Sequence, residues 1–170
     1  PLPQRARTAV RALRADGRRR LWVGTDAIGL VVYDLDRGAF TAPRDGAAAL
    51  PVTDIELADV DRVFVAGSFG VRLCSAEQCE PYPVLDGLSP YRLHLAPFGG
   101  KPVLWVGTAF EGLIRVDRPL SAQPELADVR LGREDGLPNG AIRSLATFGG
   151  ADGLDLWIGC GRGLARFDGE

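Results

Sequence analysis

Short apolar runs alternate with glycine-rich or charged turns along the chain, and one arrangement of them occurs four times. The most apolar run of each copy carries an aromatic residue near its start, at Trp22, Phe64, Trp105 and Trp157, which are 42, 41 and 52 residues apart. A period of about 40–50 residues made of short apolar runs and tight turns is typical of the blades of a β-propeller. The pattern therefore predicts a repeat array.

The runs predict strands. They are short, rich in β-branched and aromatic residues and bounded by Gly and Asp, whereas no helical stripe of apolar residues of useful length occurs. In the first copy the predicted strands are roughly 8–15, 20–25, 29–34 and 39–43, and the later copies begin near 53, 91 and 141. The sequence thus predicts an all-β fold in which each copy supplies three or four antiparallel strands.

One domain, residues 1–170, is predicted as a partial β-propeller of four consecutive four-stranded blades. The approximate blade boundaries are 1–44, 52–84, 88–131 and 137–170. The last blade is predicted to be incomplete, because the sequence ends where its third strand ends. The aromatic residues are expected to pack between blades, and the glycine two positions after each Trp is expected to let a neighbouring strand approach closely. Gly29, Gly112 and Gly163 are expected to supply the turn before the third strand.

The fourth copy carries the most specific motif: Asp135-Gly136-Leu137-Pro138, a short strand, Leu156-Trp157-Ile158-Gly159, then Gly163-Leu164 and Phe167-Asp168. This arrangement resembles the two-component regulator propeller repeat. Residues 1–44 and 86–118 also fit it well, 53–84 fit poorly, and Cys160 replaces the usual Thr.

The resemblance implies a segment of a seven-bladed propeller in the extracytoplasmic sensor domain of a bacterial signalling receptor. In that family the propeller precedes a membrane helix and a kinase, cyclase or DNA-binding output domain. The partners implied are the remaining blades and the output domain of the same polypeptide, a receptor homodimer, and a small-molecule, glycan or protein ligand. The placement implied is the periplasmic or extracellular side of the membrane.

Charge and hydropathy narrow the classes of partner. The net charge is −2, from 20 basic and 22 acidic residues, so no overall field favours nucleic acid. Seven arginines lie between Arg5 and Arg20. They could form a phosphate-binding patch, but no aromatic residues of the kind that stack on bases are interleaved, so solvated charge is favoured. No run approaches the ~20 apolar residues of a membrane span.

Catalytic and metal-binding patterns are missing from the sequence. His94 is the single histidine, and no Cys-x-x-Cys pair is present. The aspartates that end strands are ascribed to Asx turns, and calcium binding at these loops is the alternative. The segment is therefore predicted to be non-enzymatic and to need no cofactor. The alternatives are that it belongs to a propeller enzyme, such as a lyase or hydrolase, or to a protein–protein interaction scaffold.

A binding face is predicted from blade topology. The loop entering the first strand and the loop between the second and third strands open on the same side of an antiparallel blade. The candidate ligand-binding residues on these loops are Asp26, Phe69, Ser89, Tyr91, Phe110, Glu111, Asn139 and Arg162. Aromatic rings mixed with charges suit a ligand that needs stacking and a few hydrogen bonds. The alternative is that the rings only cover adjacent blades.

A disulfide is predicted between Cys74 and Cys79. The two flank a four-residue connection between predicted third and fourth strands. Residues that face each other across such a hairpin are within disulfide range. An oxidising compartment would favour the bond, and the alternative is two free thiols. Cys160 is left over and is expected to be a buried thiol at a strand end.

Overall fold

Strands follow the predicted apolar runs in the computed structural model, which describes residues 8–45, 50–150 and 153–168. They form four antiparallel sheets, each made of strands that are consecutive in the chain. Sheet 1 contains β1 (Val10–Ala15), β2 (Arg20–Thr25), β3 (Leu30–Asp34) and β4 (Ala39–Thr41), and sheet 2 contains β5 (Val52–Leu57), β6 (Val63–Gly67), β7 (Gly70–Cys74) and β8 (Cys79–Pro81). Sheet 3 contains β9 (Pro90–Phe98), β10 (Lys101–Thr108), β11 (Leu113–Asp117) and β12 (Glu125–Leu131), and sheet 4 contains β13 (Ile142–Gly150), β14 (Gly153–Cys160) and β15 (Gly163–Phe167).

The all-β prediction is confirmed. One 3-10 turn, Pro83–Leu85, is the only helical segment within the described ranges. The chain divides into two compact units, Pro1–Asp86 with sheets 1 and 2, and Gly87–Glu170 with sheets 3 and 4. The outer ends of the predicted blades 1–44 and 137–170 lie outside the described residues.

The second strand of each sheet supplies the core. In the first unit, Trp22 and Phe64 are fully buried, and Trp22 lies in one cluster with Val52 and Ile55 of the next sheet. In the second unit Trp105 is equally buried, and it shares a cluster with three apolar residues of sheet 4, namely Ile142, Leu156 and Ile158. Each of these tryptophans therefore packs against the sheet that follows its own, as the sequence predicts.

Close approach between sheets depends on the glycine that follows the aromatic residue by two positions. A Cβ added at Gly24 would lie 2.5 Å from Cγ1 of Val52, and one added at Gly107 would lie 2.5 Å from Cγ2 of Ile142. Real Cβ atoms do not approach carbon so closely. The prediction of close approach is therefore confirmed at both positions.

Gly107→Ala is expected to lower the free energy of unfolding by about 1–3 kcal/mol, because β10 and β13 must separate to admit one methyl group. Denaturant unfolding followed by circular dichroism would measure the change. Gly161→Ala is the matched control in the same unit, because its added Cβ would lie at an ordinary 3.8 Å from Cβ of Ala141. A cost at position 107 no larger than that of the control would contradict the packing argument.

The turns that begin the third strands need glycine for a second reason. Gly29, Gly112 and Gly163 have φ of 75°, 84° and 142°, in the region that L side chains rarely adopt. Beside two of these turns, the buried hydroxyls of Thr25 and Thr108 donate to the carbonyl oxygens of Gly29 and Gly112, at 2.9 and 2.8 Å. Thr thus closes its own turn, which gives the recurring Gly-Thr pair a structural role.

Cys74 and Cys79 form a disulfide in the structure. They are directly opposed across the β7–β8 pairing, with 3.9 Å between their Cα atoms, and both side chains are buried. The third cysteine, Cys160, is a free thiol that is only half buried, so it is more accessible than the sequence predicts.

Candidate functional site

The two loops predicted to share one side of each blade are hydrogen-bonded to each other in all four sheets. In every case a backbone N–H just after the second strand donates to a carbonyl just before the first strand. The pairs are Asp26 N to Ala9 O at 3.1 Å, Ser68 N to Pro51 O at 3.4 Å, Ala109 N to Ser89 O at 2.9 Å and Gly161 N to Ala141 O at 2.9 Å. The two loops therefore lie at the same end of each sheet.

A β-bulge occurs at this same end in the first strand of every sheet. The register skips one residue opposite the end of the second strand, and the skipped residues are Arg11, Thr53, Tyr91 and Arg143. A bulge bends its strand and re-aims the side chain of the extra residue, and bulges are common beside functional sites. The four positions are structurally equivalent although their residue types differ.

In the first unit, both predicted site residues are already engaged. Asp26 receives two hydrogen bonds from Arg11, Nε to Oδ1 at 2.7 Å and Nη2 to Oδ2 at 2.9 Å, and these bonds lower the pKa of its carboxyl group. The ring of Phe69 packs on the core cluster and against Gly67, with the guanidinium of Arg72 over its face at 5.5 Å. Phe69 therefore covers the core cluster that sheets 1 and 2 share.

In the second unit, three of the predicted site residues are more exposed than those of the first unit. Phe110 is 80% exposed, and Glu111 and Arg162 are exposed without an ion pair to any described residue. Asn139 is engaged within its own loop, because its Oδ1 accepts a hydrogen bond from Ala141 N at 2.6 Å. Ser89 is exposed, and its carbonyl oxygen accepts the hydrogen bond from Ala109 N that joins the two loops of sheet 3.

The loops of sheets 3 and 4 are joined to each other. Gly112 N donates to Gly140 O at 3.0 Å, and the backbone of Phe110 lies so near Gly140 that an added Cβ there would be 2.3 Å from its carbonyl oxygen. Within this unit the predicted residues on both sheets thus lie along one continuous set of loops.

Tyr91 has the most distinctive surroundings of the predicted residues. Two guanidinium groups lie against its half-buried ring, with Cζ of Arg92 at 4.4 Å and Cζ of Arg143 at 5.1 Å from the ring centroid. Arg92 is fixed by hydrogen bonds from Nε to Arg143 O at 2.7 Å and from Nη1 to Tyr91 O at 2.8 Å. Sequence reasoning found Tyr91 and missed both arginines.

Two cavities lie away from these loops. One of about 530 Å³ in the second unit is lined by Phe98 and by the ion pairs Arg115–Asp117 and Arg118–Glu125. Another of about 670 Å³ in the first unit is lined mainly by charged residues from two segments, 18–20 and 59–62. Neither cavity contains a residue that the sequence predicts to bind ligand.

The histidine and the acidic side chains form no metal-binding cluster within the described ranges. His94 is half buried, and its Nε2 lies 3.2 Å from Oγ1 of Thr147 on β13, the first strand of sheet 4. Among the described residues, no three His, Cys, Asp or Glu side chains are grouped so that they could hold a metal ion. Over the same ranges, no helix has the length and apolar character needed to cross a membrane.

Known proteins are similar to this chain in structure. No family model matches the sequence, and no curated protein matches it. The extracellular domain of BT4673 from B. thetaiotaomicron, assigned to a hybrid two-component system, superposes with a TM-score of 0.67 at 20% identity, over 97% of this chain and 21% of its own length. The extracellular domain of BT3049 from the same organism, also assigned to a hybrid two-component system, superposes with a TM-score of 0.67 at 18% identity, over 99% of this chain and 24% of its own length.

A designed protein shares the architecture too. The computationally designed Ika4 protein superposes with a TM-score of 0.60 at 18% identity, over 95% of this chain and 91% of its own length. The chain spans about a fifth to a quarter of the two natural domains. The resemblance found in the sequence therefore agrees with the structure: the chain has a fold that occurs in the extracellular domains of two-component systems.

Proposed function

We propose that this chain is a segment of a β-propeller in the extracytoplasmic sensor domain of a bacterial signalling receptor. The observation that carries the proposal is the repetition of one sheet plan. Strand order, the bulge in the first strand and the bond between the two loops recur in all four sheets. The fold likeness to two extracellular receptor domains points to the same class of protein.

In this proposal each sheet is one blade, and the ring has the seven blades implied by the repeat motif. The remaining blades and an output domain belong to the same polypeptide, and receptors of this class are expected to act as homodimers. The role of the segment is binding without catalysis. Its ligand, whether a small molecule, a glycan or a protein, is expected to meet the loop end of the sheets, where Phe110, Glu111 and Arg162 are exposed.

The compartment can be tested through the cysteines. In an extracytoplasmic sensor the Cys74–Cys79 pair is expected to be oxidised in the cell, since disulfides persist on the oxidising side of the membrane. Cells expressing the full-length receptor would be quenched in acid, alkylated, and then reduced and alkylated with a second, heavier reagent. Mass spectrometry of the peptide that spans both cysteines is expected to show only the second label.

Cys160 is the internal control, because it is a free thiol in the same chain and is expected to carry the first label. A variant with Cys74→Ser shows how a lone thiol at Cys79 is labelled. If the spanning peptide carries the first label on both cysteines while the receptor is folded and in the membrane, the segment faces a reducing compartment and the proposed placement is wrong.

A further inference from the structure

The Arg92–Tyr91–Arg143 cluster joins the first strands of sheets 3 and 4, β9 and β13. Two cations lie against one aromatic ring, which offsets part of their mutual repulsion through cation–π attraction. The two arginines differ in constraint. Arg92 is held by two backbone carbonyls, whereas Arg143 is exposed and has the ring contact with Tyr91 but no carboxylate partner among the described residues.

The equivalent bulge in sheet 1 shows what such an arginine binds. Arg11 occupies the same bulge position as Arg143, and it holds the Asp26 carboxylate through two parallel hydrogen bonds of 2.7 and 2.9 Å. Asp26 is the first residue after β2, and the residue at the same position after β14 is Gly161. Both donate a backbone hydrogen bond to the residue that precedes the first strand by one position.

Sheet 4 therefore keeps the arginine of this pair and lacks its acid. The residue that follows Gly161 is Arg162, which adds positive charge to the same turn, and Glu111 on the turn of sheet 3 forms no ion pair with Arg143. A planar guanidinium presents its Nε and Nη donors in the geometry that suits two carboxylate oxygens. The unpaired position is thus shaped for a carboxylate that no described residue supplies.

We propose that Arg143, supported by Tyr91 and Arg92, binds the carboxylate group of the ligand of this domain. The inference rests on the proposed binding function and adds the chemical class of the ligand. The carboxylate takes the place that Asp26 occupies beside Arg11, and the Tyr91 ring holds the guanidinium plane in position. Tyr91 and Arg92 are positioning residues, while Arg143 contacts the ligand.

Acetate is the probe for the test. It would be titrated into the full-length extracellular domain at constant ionic strength, with the arginine Nε–H signals followed by NMR. The Arg143 signal is expected to shift and saturate, with chloride at the same ionic strength producing no saturable shift. Arg143→Gln is expected to weaken acetate binding about tenfold or more, because two charge-assisted hydrogen bonds are lost. In that variant, and in the wild type for comparison, the affinity is read from the Nε–H signal of the neighbouring Arg92.

Arg11→Gln is the matched control, because that arginine is already occupied by Asp26, and acetate affinity at Arg143 is expected to be unchanged. Tyr91→Phe is expected to keep binding, whereas Tyr91→Leu is expected to weaken it, since only the leucine variant removes the ring. Both variants are checked for an unchanged unfolding curve before titration.

Three results would overturn the inference: a linear, non-saturating acetate titration, an affinity that Arg143→Gln leaves unchanged, or sulfate binding at Arg143 as tightly as acetate. Failure here is separable from failure of the proposed function. The thiol-labelling experiment on Cys74 and Cys79 reports the compartment of the segment whether or not Arg143 binds a carboxylate.

Discussion

Trp105→Ala is expected to lower the free energy of unfolding of the second unit by about 3–5 kcal/mol, the largest effect of any single substitution considered. The indole is fully buried and packs edge-on against two rings, with Phe98 at 5.5 Å and Phe167 at 5.6 Å between centroids. Removing it leaves a cavity between sheets 3 and 4 that Ile142 and its neighbours cannot fill. Urea unfolding followed by far-ultraviolet circular dichroism would measure the loss.

Phenylalanine at the same position separates packing from hydrogen bonding. The Trp105 Nε1 has no hydrogen-bond partner among the described residues, whereas Trp22 Nε1 donates to Asp16 Oδ2 at 2.9 Å. Trp105→Phe is therefore expected to cost less than Trp22→Phe, by roughly 1.5–3 kcal/mol, the value of a hydrogen bond to a charged acceptor. Equal costs for the two phenylalanine variants would show that the indole N–H of Trp22 adds no stability.

The strand positions were predictable because the same pattern of strands and turns occurs in four copies along the chain. Starts near 53, 91 and 141 were expected, and β5, β9 and β13 begin at Val52, Pro90 and Ile142. Each copy combines an apolar strand, a glycine at a tight contact and a glycine at positive φ. These requirements are local, so residue type alone reveals them.

The bulges could not be predicted from the sequence. A bulge is a register mismatch between two strands, and residues as different as Arg11, Thr53 and Tyr91 occupy it. The hairpin between the first and second strands also differs in length between copies, which hides the equivalence of the bulge positions. Arg11 precedes its tryptophan by 11 residues and Arg143 precedes its own by 14, so aligning the copies on the aromatic residue does not bring the two arginines together.

The candidate site was predictable only in outline. Blade topology placed the two loops at one end of each sheet, and the backbone bonds there agree with it. Blade topology could not show that Phe69 packs on the core cluster or that Asp26 is paired with Arg11. Both contacts depend on side-chain directions that are set by the bulge and the turn. The same reason explains why Arg92 and Arg143 were missed while Tyr91 was found.

Asp16→Ala is expected to lower the free energy of unfolding of the first unit by about 3 kcal/mol, because it removes the acceptor of four hydrogen bonds at once, three of which are partly buried. The Asp16 side chain is 1% exposed. Its Oδ2 accepts from Arg20 Nε at 2.7 Å and from the Trp22 indole, and its Oδ1 accepts from the backbone N–H groups of Arg18 and Arg20 at 2.8 and 3.0 Å.

Asp36→Ala is the control for charge removal in the same sheet. Asp36 pairs with Arg19 at 2.8 Å, but both side chains are about two-thirds exposed, so the loss is expected to stay within about 0.5 kcal/mol. A comparable cost at both positions would mean that general charge balance, rather than the hydrogen bonds that Asp16 accepts, stabilises this part of the first unit.

The pH dependence of the Asp16 effect gives a sharper test. Burial acts to raise the pKa of this carboxyl group, but the hydrogen bonds from Trp22, Arg20 and Arg18 outweigh it, and the pKa is lowered on balance. The unfolded chain therefore takes up the proton at a higher pH than the folded chain does. The stabilisation is complete above the ordinary value of about 3.9, and it is lost as the pH falls through the folded-state pKa.

Other carboxyl groups in the same unit have lowered pKa values, including Asp26 and Asp59, so acid destabilisation of the wild type alone cannot identify Asp16. The diagnostic quantity is the difference in unfolding free energy between wild type and Asp16→Ala. That difference is expected to be constant from pH 7 to about pH 5 and to shrink at lower pH. A difference that stays constant down to the acid unfolding transition would mean that the ionised carboxylate does not carry the stabilisation.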